Sequence, residues 1–337
     1  MNAWHIEQFG STDGLVLRNH PDPAPGPDDV VVRMRANSLN YRDLMVLKGS
    51  YRANPRAGLV PLSDGVGEIC AVGSRVKRVK VGDRVAAIFH QRWLGGRMTR
   101  ECMGSDLGGS IDGVLTDMAV LNQEGVVKLP EHLSYEEAAT LPCAAVTAWA
   151  GLTELAQVKA GDTVVTLGSG GVSVFSIQLA KLLGARVIAT TSSAAKAKRL
   201  AELGADDLID YVAHPDWDKE VLRLTGGRGA DHVMEVGGAG TLPRSLQCLG
   251  IGGCVILIGT VSAKGQMLDP NLFRGKGVTL RSLSVGSRQS FESMNRALEQ
   301  HQLRPVVDQV FPFAQAREAF QHLQAQRHFG KVVIGYA

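Results

Sequence analysis

Aromatic residues are scarce in this chain, at 5% of the total, and they are not interleaved with basic residues. The formal net charge is only +3, with Lys and Arg spread along the chain and no basic tail. Both features disfavour a nucleic-acid partner. No apolar run reaches the ~18 residues that a membrane-spanning helix needs, so no membrane association is expected. The opening stretch, MNAWHIEQFG, has no basic region followed by an apolar core and does not read as a signal peptide. The five cysteines (Cys70, Cys102, Cys143, Cys248 and Cys254) are odd in number, widely spaced and never in a CxxC pair. That argues against a disulfide framework and suits a reducing, cytoplasmic setting, with most of them acting as small buried hydrophobes. No GxSxG elbow follows a strand pattern, so a Ser-His-Asp hydrolase is not indicated.

What is present is enough chain, 337 residues, for two domains with sizeable cores. The first ~125 residues read as β-rich: a short strand run at 30–35, a glycine-rich apolar run at 60–72, a turn then a strand within 81–89, and little helical periodicity. Residues 90–113 carry six glycines and no clear period, and read as a long loop or lobe. His90, at its start, is expected to be an exposed loop histidine. From about 135 the pattern changes. A helical stretch at 135–155 is interrupted near Pro142. Strand patterns then follow at 163–167, 186–191, 207–211, 231–236, 254–259 and 278–284. Helices fit between most of them, including 174–183, 194–203 and 242–249. Such alternation means a parallel sheet covered on both faces, and six strands suit a doubly wound dinucleotide fold. The tail is mixed: helix at 291–300, strand at 306–311, helix at 314–324 and strand at 331–334. It is expected to complete the first domain. The division expected is 1–125 with 285–337 as one domain and 126–284 as the other.

The turn Gly168-Ser169-Gly170-Gly171-Val172-Ser173 follows the strand pattern at 163–167 and opens a helix. It is a GxGxxG fingerprint with Ser173 at the third glycine. Gly168 permits a tight turn, and Gly170 removes a side chain where a pyrophosphate must approach the helix N-terminus. An acid about 20 residues further on would bind the ribose 2′-hydroxyl of NAD. That window instead reads Ala189-Thr190-Thr191-Ser192-Ser193, with Lys196 following and no acid before Glu202. Hydroxyls and a cation suit a 2′-phosphate, so NADP(H) is the expected cofactor, with Thr191, Ser192, Ser193 and Lys196 as its contacts. Tyr211, ending the third strand of this unit, is expected near the adenosine. Gly259 and Thr260 end the fifth strand, on the side where ligands bind in such sheets.

Further motifs run through the chain in order. They are Asn40-Tyr41-Arg42-Asp43 with Leu47-Lys48-Gly49, Pro61-Leu62-Ser63-Asp64-Gly65-Val66-Gly67-Glu68 and Val81-Gly82-Asp83-Arg84-Val85. After these come Asp112-Gly113, Ala138-Ala139-Thr140-Leu141-Pro142, Thr147-Ala148 and Gly330-Lys331-Val332-Val333. With the glycine turn, they make nearly the whole chain resemble the medium-chain dehydrogenase/reductases, in particular the zinc-independent branch related to quinone oxidoreductases. The resemblance implies an α/β fold: a Rossmann doubly wound sheet plus a GroES-like β-rich catalytic domain built from N- and C-terminal segments. It also implies that Asn40 and Thr147 lie by the nicotinamide ribose and Tyr41 at the substrate pocket. Val285, with the residues after it, and Lys331 resemble further cofactor contacts. Relatives of this type commonly pair as dimers through the last Rossmann strand, here 278–284.

Zinc-dependent relatives carry a cysteine at the position of Asn40 and a histidine at that of Ser63, while Cys143 matches the third ligand. Asn40, Ser63 and Cys143, even with Asp64 beside them, do not make the three-ligand open site of a catalytic zinc. The glycine-rich lobe lacks a structural four-cysteine set. No metal is therefore expected, and Cys143 reads as a packed thiol. Without a Lewis acid, conjugate reduction of a quinone or α,β-unsaturated carbonyl is less demanding than alcohol oxidation. It needs a donor for the charge that moves onto oxygen, and the candidates are Asn40, Tyr41, Arg42 and backbone N–H groups. The expected function is thus a metal-independent, NADPH-dependent oxidoreductase acting on a quinone, enone or aldehyde. An alcohol dehydrogenase of the same superfamily is one alternative. An NADPH-binding, crystallin-like structural or RNA-binding protein is another, since fold does not fix function.

Overall fold

A computed structural model describes residues 1–51, 56–259 and 268–336. The chain forms two compact units, Met1–Val146 with Gly286–Ala337, and Thr147–Val285. The first begins with β1 (Asn2–Ile6), β2 (Leu15–Asn19), β3 (Asp29–Ser38), β4 (Asp64–Val72), β5 (Arg84–Ala87), β6 (Met118–Asn122) and β7 (Val126–Lys128). The second holds β8 (Thr163–Leu167), β9 (Arg186–Thr191), β10 (Asp207–Asp210), β11 (Ala230–Glu235), β12 (Leu249–Leu257) and β13 (Thr279–Ser282). The chain then returns to the first unit with β14 (Val307–Pro312) and β15 (Lys331–Gly335).

In the first unit the strand order is β14-β15-β3-β4-β5-β7, with β6 also on β3 and with β1 and β2 as a separate pair. The apolar run Lys331–Gly335 is buried over its first four residues and pairs antiparallel with β3, Val333 opposite Ser38. That pairing is why the C-terminal segment completes the domain begun by the N-terminal one. Val32, Met34, Ile69, Val85, Phe320, Val332 and Ile334 share one core. Each contributes about 1.5–3 kcal/mol by leaving water. Residues 126–146 fall in this unit rather than in the dinucleotide unit. The cause is pairing with earlier parts of the chain: β7 pairs with β5, Val85 opposite Lys128, and the turn of helix Tyr135–Ala138 packs on β3.

The helical stretch expected at 135–155 is broken as anticipated around Pro142, which has no N–H to give to a helix. A helical turn at Tyr135–Ala138 is followed by wide π-type turns at Leu141–Ala145 and Gly151–Ala156, with Val146–Ala150 between the latter two. Residues 90–113 contain one short helix, Arg100–Met103. His90 is buried rather than exposed. Its ring packs on Phe89 and Trp93, with centroids at 4.7 and 6.1 Å, and its backbone bridges to Asp106.

The second unit is a parallel six-stranded sheet of order β10-β9-β8-β11-β12-β13. Counting strands within the unit, this is the 3-2-1-4-5-6 order of a doubly wound fold. The TVVTL segment of β8 is buried along its whole length, as a central strand covered on both faces must be.

Candidate functional site

The glycine turn lies where β8 ends. Gly168 has φ +74°, a left-handed conformation, and its N–H donates to the Thr190 carbonyl at 2.9 Å. Gly170 caps the helix Gly171–Leu182 with no side-chain bond, and a Cβ built on it meets nothing within 4 Å. The protein's own packing therefore does not require glycine at 170, and the space at the first helical amides is open. These residues fit a dinucleotide pyrophosphate. Ser173, in place of the third glycine, is buried and its hydroxyl donates to the Leu167 carbonyl at 2.6 Å. The hydroxyl thus ties the helix to the end of the strand, the close approach that a glycine otherwise allows.

At the end of β9, Thr191 is buried, Ser192 exposed, and Ser193 and Lys196 half-buried. The Ser193 hydroxyl caps helix Ala194–Glu202 by accepting the Lys196 N–H at 3.4 Å. Tyr211 is 42% exposed, and its N–H donates to the Thr191 carbonyl at 3.0 Å. The structure thus brings Tyr211 beside the hydroxyl cluster, all at the C-terminal edge of the sheet. Gly259 follows β12, and a Cβ there would lie 2.3 Å from the Val236 carbonyl, so its glycine is required internally. Thr260 lies outside the described residues. Thr147, near the start of this unit, is buried. Val285, also buried, holds φ +62°, a strained conformation for a β-branched residue.

Sequence reasoning missed Glu235. This fully buried carboxylate ends β11 and accepts the Gly237 N–H at 2.7 Å, the Gly238 N–H at 2.9 Å, the Thr241 hydroxyl at 2.7 Å and the Ser245 hydroxyl. It fixes the loop that leaves the fourth strand of the sheet. The available signal was an acid inside the apolar run VMEVGG.

In the first unit, Asn40 precedes helix Tyr41–Leu47, and the Asp43 carboxylate accepts the Asn40 backbone N–H at 2.7 Å. Burial pushes the Asp43 pKa up to about 6, against the pull of the adjacent Arg42 guanidinium. Arg42 is itself buried. It donates to the Leu107 carbonyl at 2.7 Å and to Asp106 at 2.9 Å, and lies over the Tyr51 and Phe89 rings at 4.5 and 4.9 Å. Its guanidinium is committed to anchoring residues 106–107, while Tyr41 next to it is partly exposed.

Lys331 is 3% exposed. Its ammonium donates to the Leu39 carbonyl at 2.7 Å and to Asn40 Oδ1 at 2.5 Å, and lies 3.6 Å from Asp64 Oδ2. Asp64, fully buried, also accepts the Ser63 hydroxyl at 2.8 Å and the Cys143 N–H at 3.4 Å. Desolvation, reinforced by the Asp64 charge, pushes the Cys143 thiol pKa far up. Among the described residues no group of three or more His, Cys, Asp or Glu side chains is placed to hold an ion. An ammonium already sits beside the carboxylate nearest Cys143. The donor set here does not fit zinc.

Two family models match this chain: an alcohol dehydrogenase GroES-like domain over residues 26–131 and a zinc-binding dehydrogenase over 171–300. A zinc-type alcohol dehydrogenase-like protein of Schizosaccharomyces pombe is 43% identical over 91% of both chains. A quinone oxidoreductase of Pseudomonas aeruginosa is 31% identical over 97% of both. Among solved structures, an NAD-dependent alcohol dehydrogenase superposes with a TM-score of 0.91 at 35% identity, covering all of both chains. A mycobacterial protein solved with NADPH gives 0.83 at 27%, covering 99% of each. The chain belongs to the medium-chain dehydrogenase/reductase superfamily, with its GroES-like and Rossmann-type domains, and is an oxidoreductase of that family.

Proposed function

We propose that this protein is an NADPH-dependent, metal-independent reductase of quinones or α,β-unsaturated carbonyl compounds. The observation that carries the reading is the Asn40–Lys331–Asp64 group, a buried set of hydrogen-bonding side chains beside Tyr41 whose donors do not suit a metal. A reduced nicotinamide, when bound, supplies the hydride. The chain's own part is to steady the charge that develops on the substrate oxygen, and the Asn40 amide and Tyr41 hydroxyl are the donors for it. One such donor contributes roughly 100- to 1000-fold in rate. The 2′-phosphate contacts are Thr191, Ser192, Ser193 and Lys196. One charge-assisted bond there contributes about 1.5–3 kcal/mol, roughly ten- to a hundredfold in affinity. The relatives' names support the class, since they include a quinone oxidoreductase and an NADPH complex, although one neighbour is named NAD-dependent.

The test is a fluorescence titration of metal-free protein with NADPH and NADH, repeated on Lys196→Ala, followed by turnover on a panel of quinones and enones. The reading expects NADPH to bind at least about tenfold tighter, with the preference erased by the substitution. Equal or tighter NADH binding overturns the cofactor assignment. Binding without turnover of any panel member overturns the reductase assignment and favours a non-enzymatic role.

We also propose a homodimer through residues 278–284. Within its sheet β13 is the edge strand, and Thr279, Arg281 and Ser282 are exposed, as an edge available for pairing requires. A monomer mass in sedimentation equilibrium overturns this.

A further inference from the structure

Glu235 is a carboxylate closed off from water at the carboxyl end of β11. One oxygen accepts the Gly237 and Gly238 N–H groups and the Thr241 hydroxyl, and the other accepts the Ser245 hydroxyl. All four donors are neutral. Among the described residues no basic side chain forms an ion pair with Glu235; the flanking His232 and Arg244 face Asp162 and the Asp216–Asp218 pair instead. A glutamine could take the same donors, its oxygen accepting the two amides and the Thr241 hydroxyl while the Ser245 hydroxyl turns to accept from its NH2. The hydrogen bonds therefore account for the shape at this position and leave the negative charge over. Burying a charge without a counter-ion is costly, and its field is screened far less than that of a surface group. The sheet sets where that field lies. Strand order reverses between β8 and β11, and a dinucleotide lies across such a switch point with one mononucleotide on each half of the sheet. Thr191, Ser192 and Tyr211 belong to the first half. Glu235 ends the first strand of the second half, so the nicotinamide falls on its side. β11 pairs with β8, Met234 opposite Thr166, so Glu235 stands level with Leu167, the residue before the glycine turn.

We propose that the buried Glu235 charge favours the oxidised form of the bound nicotinamide and so strengthens the reduced form as a hydride donor. The proposal rests on the nicotinamide-cofactor reading and needs no contact between Glu235 and the cofactor. A hydride, one proton with two electrons, leaves the reduced ring for the substrate carbon, and the oxidised ring goes from neutral to singly positive. The substrate is reduced and takes up one proton from water at its oxygen. A fixed negative charge attracts the positive ring and is indifferent to the neutral one. The same preorganised field acts on the positive charge as it develops in the transition state. For unit charges ~10 Å apart at an effective dielectric of ~20, the interaction changes an affinity roughly tenfold. The phosphates are common to both cofactor forms, so their repulsion by Glu235 cancels in the ratio of the two dissociation constants.

The test measures Kd for NADP+ and for NADPH by titration calorimetry on the full-length protein and on Glu235→Gln, Ser245→Ala and Thr241→Lys. Glu235→Gln removes the charge and keeps the acceptor oxygen. It is expected to raise the ratio Kd(NADP+)/Kd(NADPH) at least about threefold. Ser245→Ala loses a hydrogen bond but keeps the charge, and should leave the ratio at the wild-type value. Thr241→Lys sets an ammonium on the same carboxylate from a half-buried position, and is expected to raise the ratio as Glu235→Gln does. A loop held only for its shape predicts a different pattern, in which each variant weakens both forms alike. An unchanged ratio in Glu235→Gln overturns the proposal, as does a shift in Ser245→Ala as large as the one in Glu235→Gln. If Glu235→Gln fails to fold, Thr241→Lys decides by the same ratio. If the protein prefers NAD(H), the ratio is read with NAD+ and NADH, because the proposal needs only the nicotinamide. Wild type that binds none of these overturns the cofactor reading and the proposal with it, whereas binding with an unmoved ratio overturns the proposal alone.

Discussion

Gly170→Ala separates what the fold needs from what a ligand needs. Gly170 has φ −75° and ψ 177°, a backbone any residue adopts, and a Cβ there meets nothing within 4 Å. Two opposing effects act on the protein alone. A stiffer unfolded chain adds about 0.4–1 kcal/mol of stability. Alanine is a poorer helix N-cap than glycine, which removes roughly 0.5–1 kcal/mol. The net change in stability is therefore near zero. Binding is different, because the methyl group stands where a pyrophosphate would reach the amides that open helix Gly171–Leu182. Loss of even one charge-assisted bond there, about 1.5–3 kcal/mol, weakens NADPH roughly ten- to a hundredfold. Gly168→Ala is the control, since at φ +74° an alanine is strained by about 1–2 kcal/mol. The assay is thermal unfolding of both variants beside an NADPH fluorescence titration. The expected pattern is an unchanged Tm with weak binding for Gly170→Ala, and a lowered Tm for Gly168→Ala. NADPH binding to Gly170→Ala within twofold of wild type would refute the placement of the pyrophosphate on this turn.

Ser173→Ala removes the hydroxyl that bonds the Leu167 carbonyl and should destabilise the second unit by about 1 kcal/mol, read as a lowered denaturation midpoint. Glu235→Ala leaves the Gly237 and Gly238 amides and two hydroxyls without their acceptor, and should cost upwards of ~3 kcal/mol or abolish soluble expression. A stable Glu235→Ala variant would mean that this loop is held by something else. Burial raises the Asp43 pKa in the folded state to about 6 from the ordinary 3.8, so the folded state holds the proton more tightly. Its contribution to stability is complete below pH 3.8 and lost as pH rises through 6. The Tm advantage of wild type over Asp43→Asn should accordingly shrink between about pH 4 and 6 and be flat above. A difference that does not change with pH would show that Asp43 does not titrate in that range.

The parts of the fold that were legible in the sequence are those whose signals are local. The β8 strand, the glycine turn and the following helix lie within some twenty residues, and each constrains the next through strand burial, positive φ and an uncapped helix start. Val127 and Val126 could not be assigned to the first sheet from their own pattern, because what fixes them is pairing with β5, about forty residues earlier. His90 carried no mark of burial. Its surroundings, the Phe89 and Trp93 rings, become a core only once the lobe at 90–113 closes on Arg42 through Asp106 and Leu107.

The first-unit site was illegible for a deeper reason. A motif lists residue types, but it does not say which atom of each is already spent. Arg42 and Lys331 are both cations in recognisable motifs, and sequence reasoning gave both to ligands. In the fold each cation is surrounded by oxygens of the protein, Arg42 by Asp43, Asp106 and Leu107, Lys331 by Leu39, Asn40 and Asp64. A buried cation must be paired, and breaking such a pair leaves an uncompensated charge costing roughly 3–5 kcal/mol.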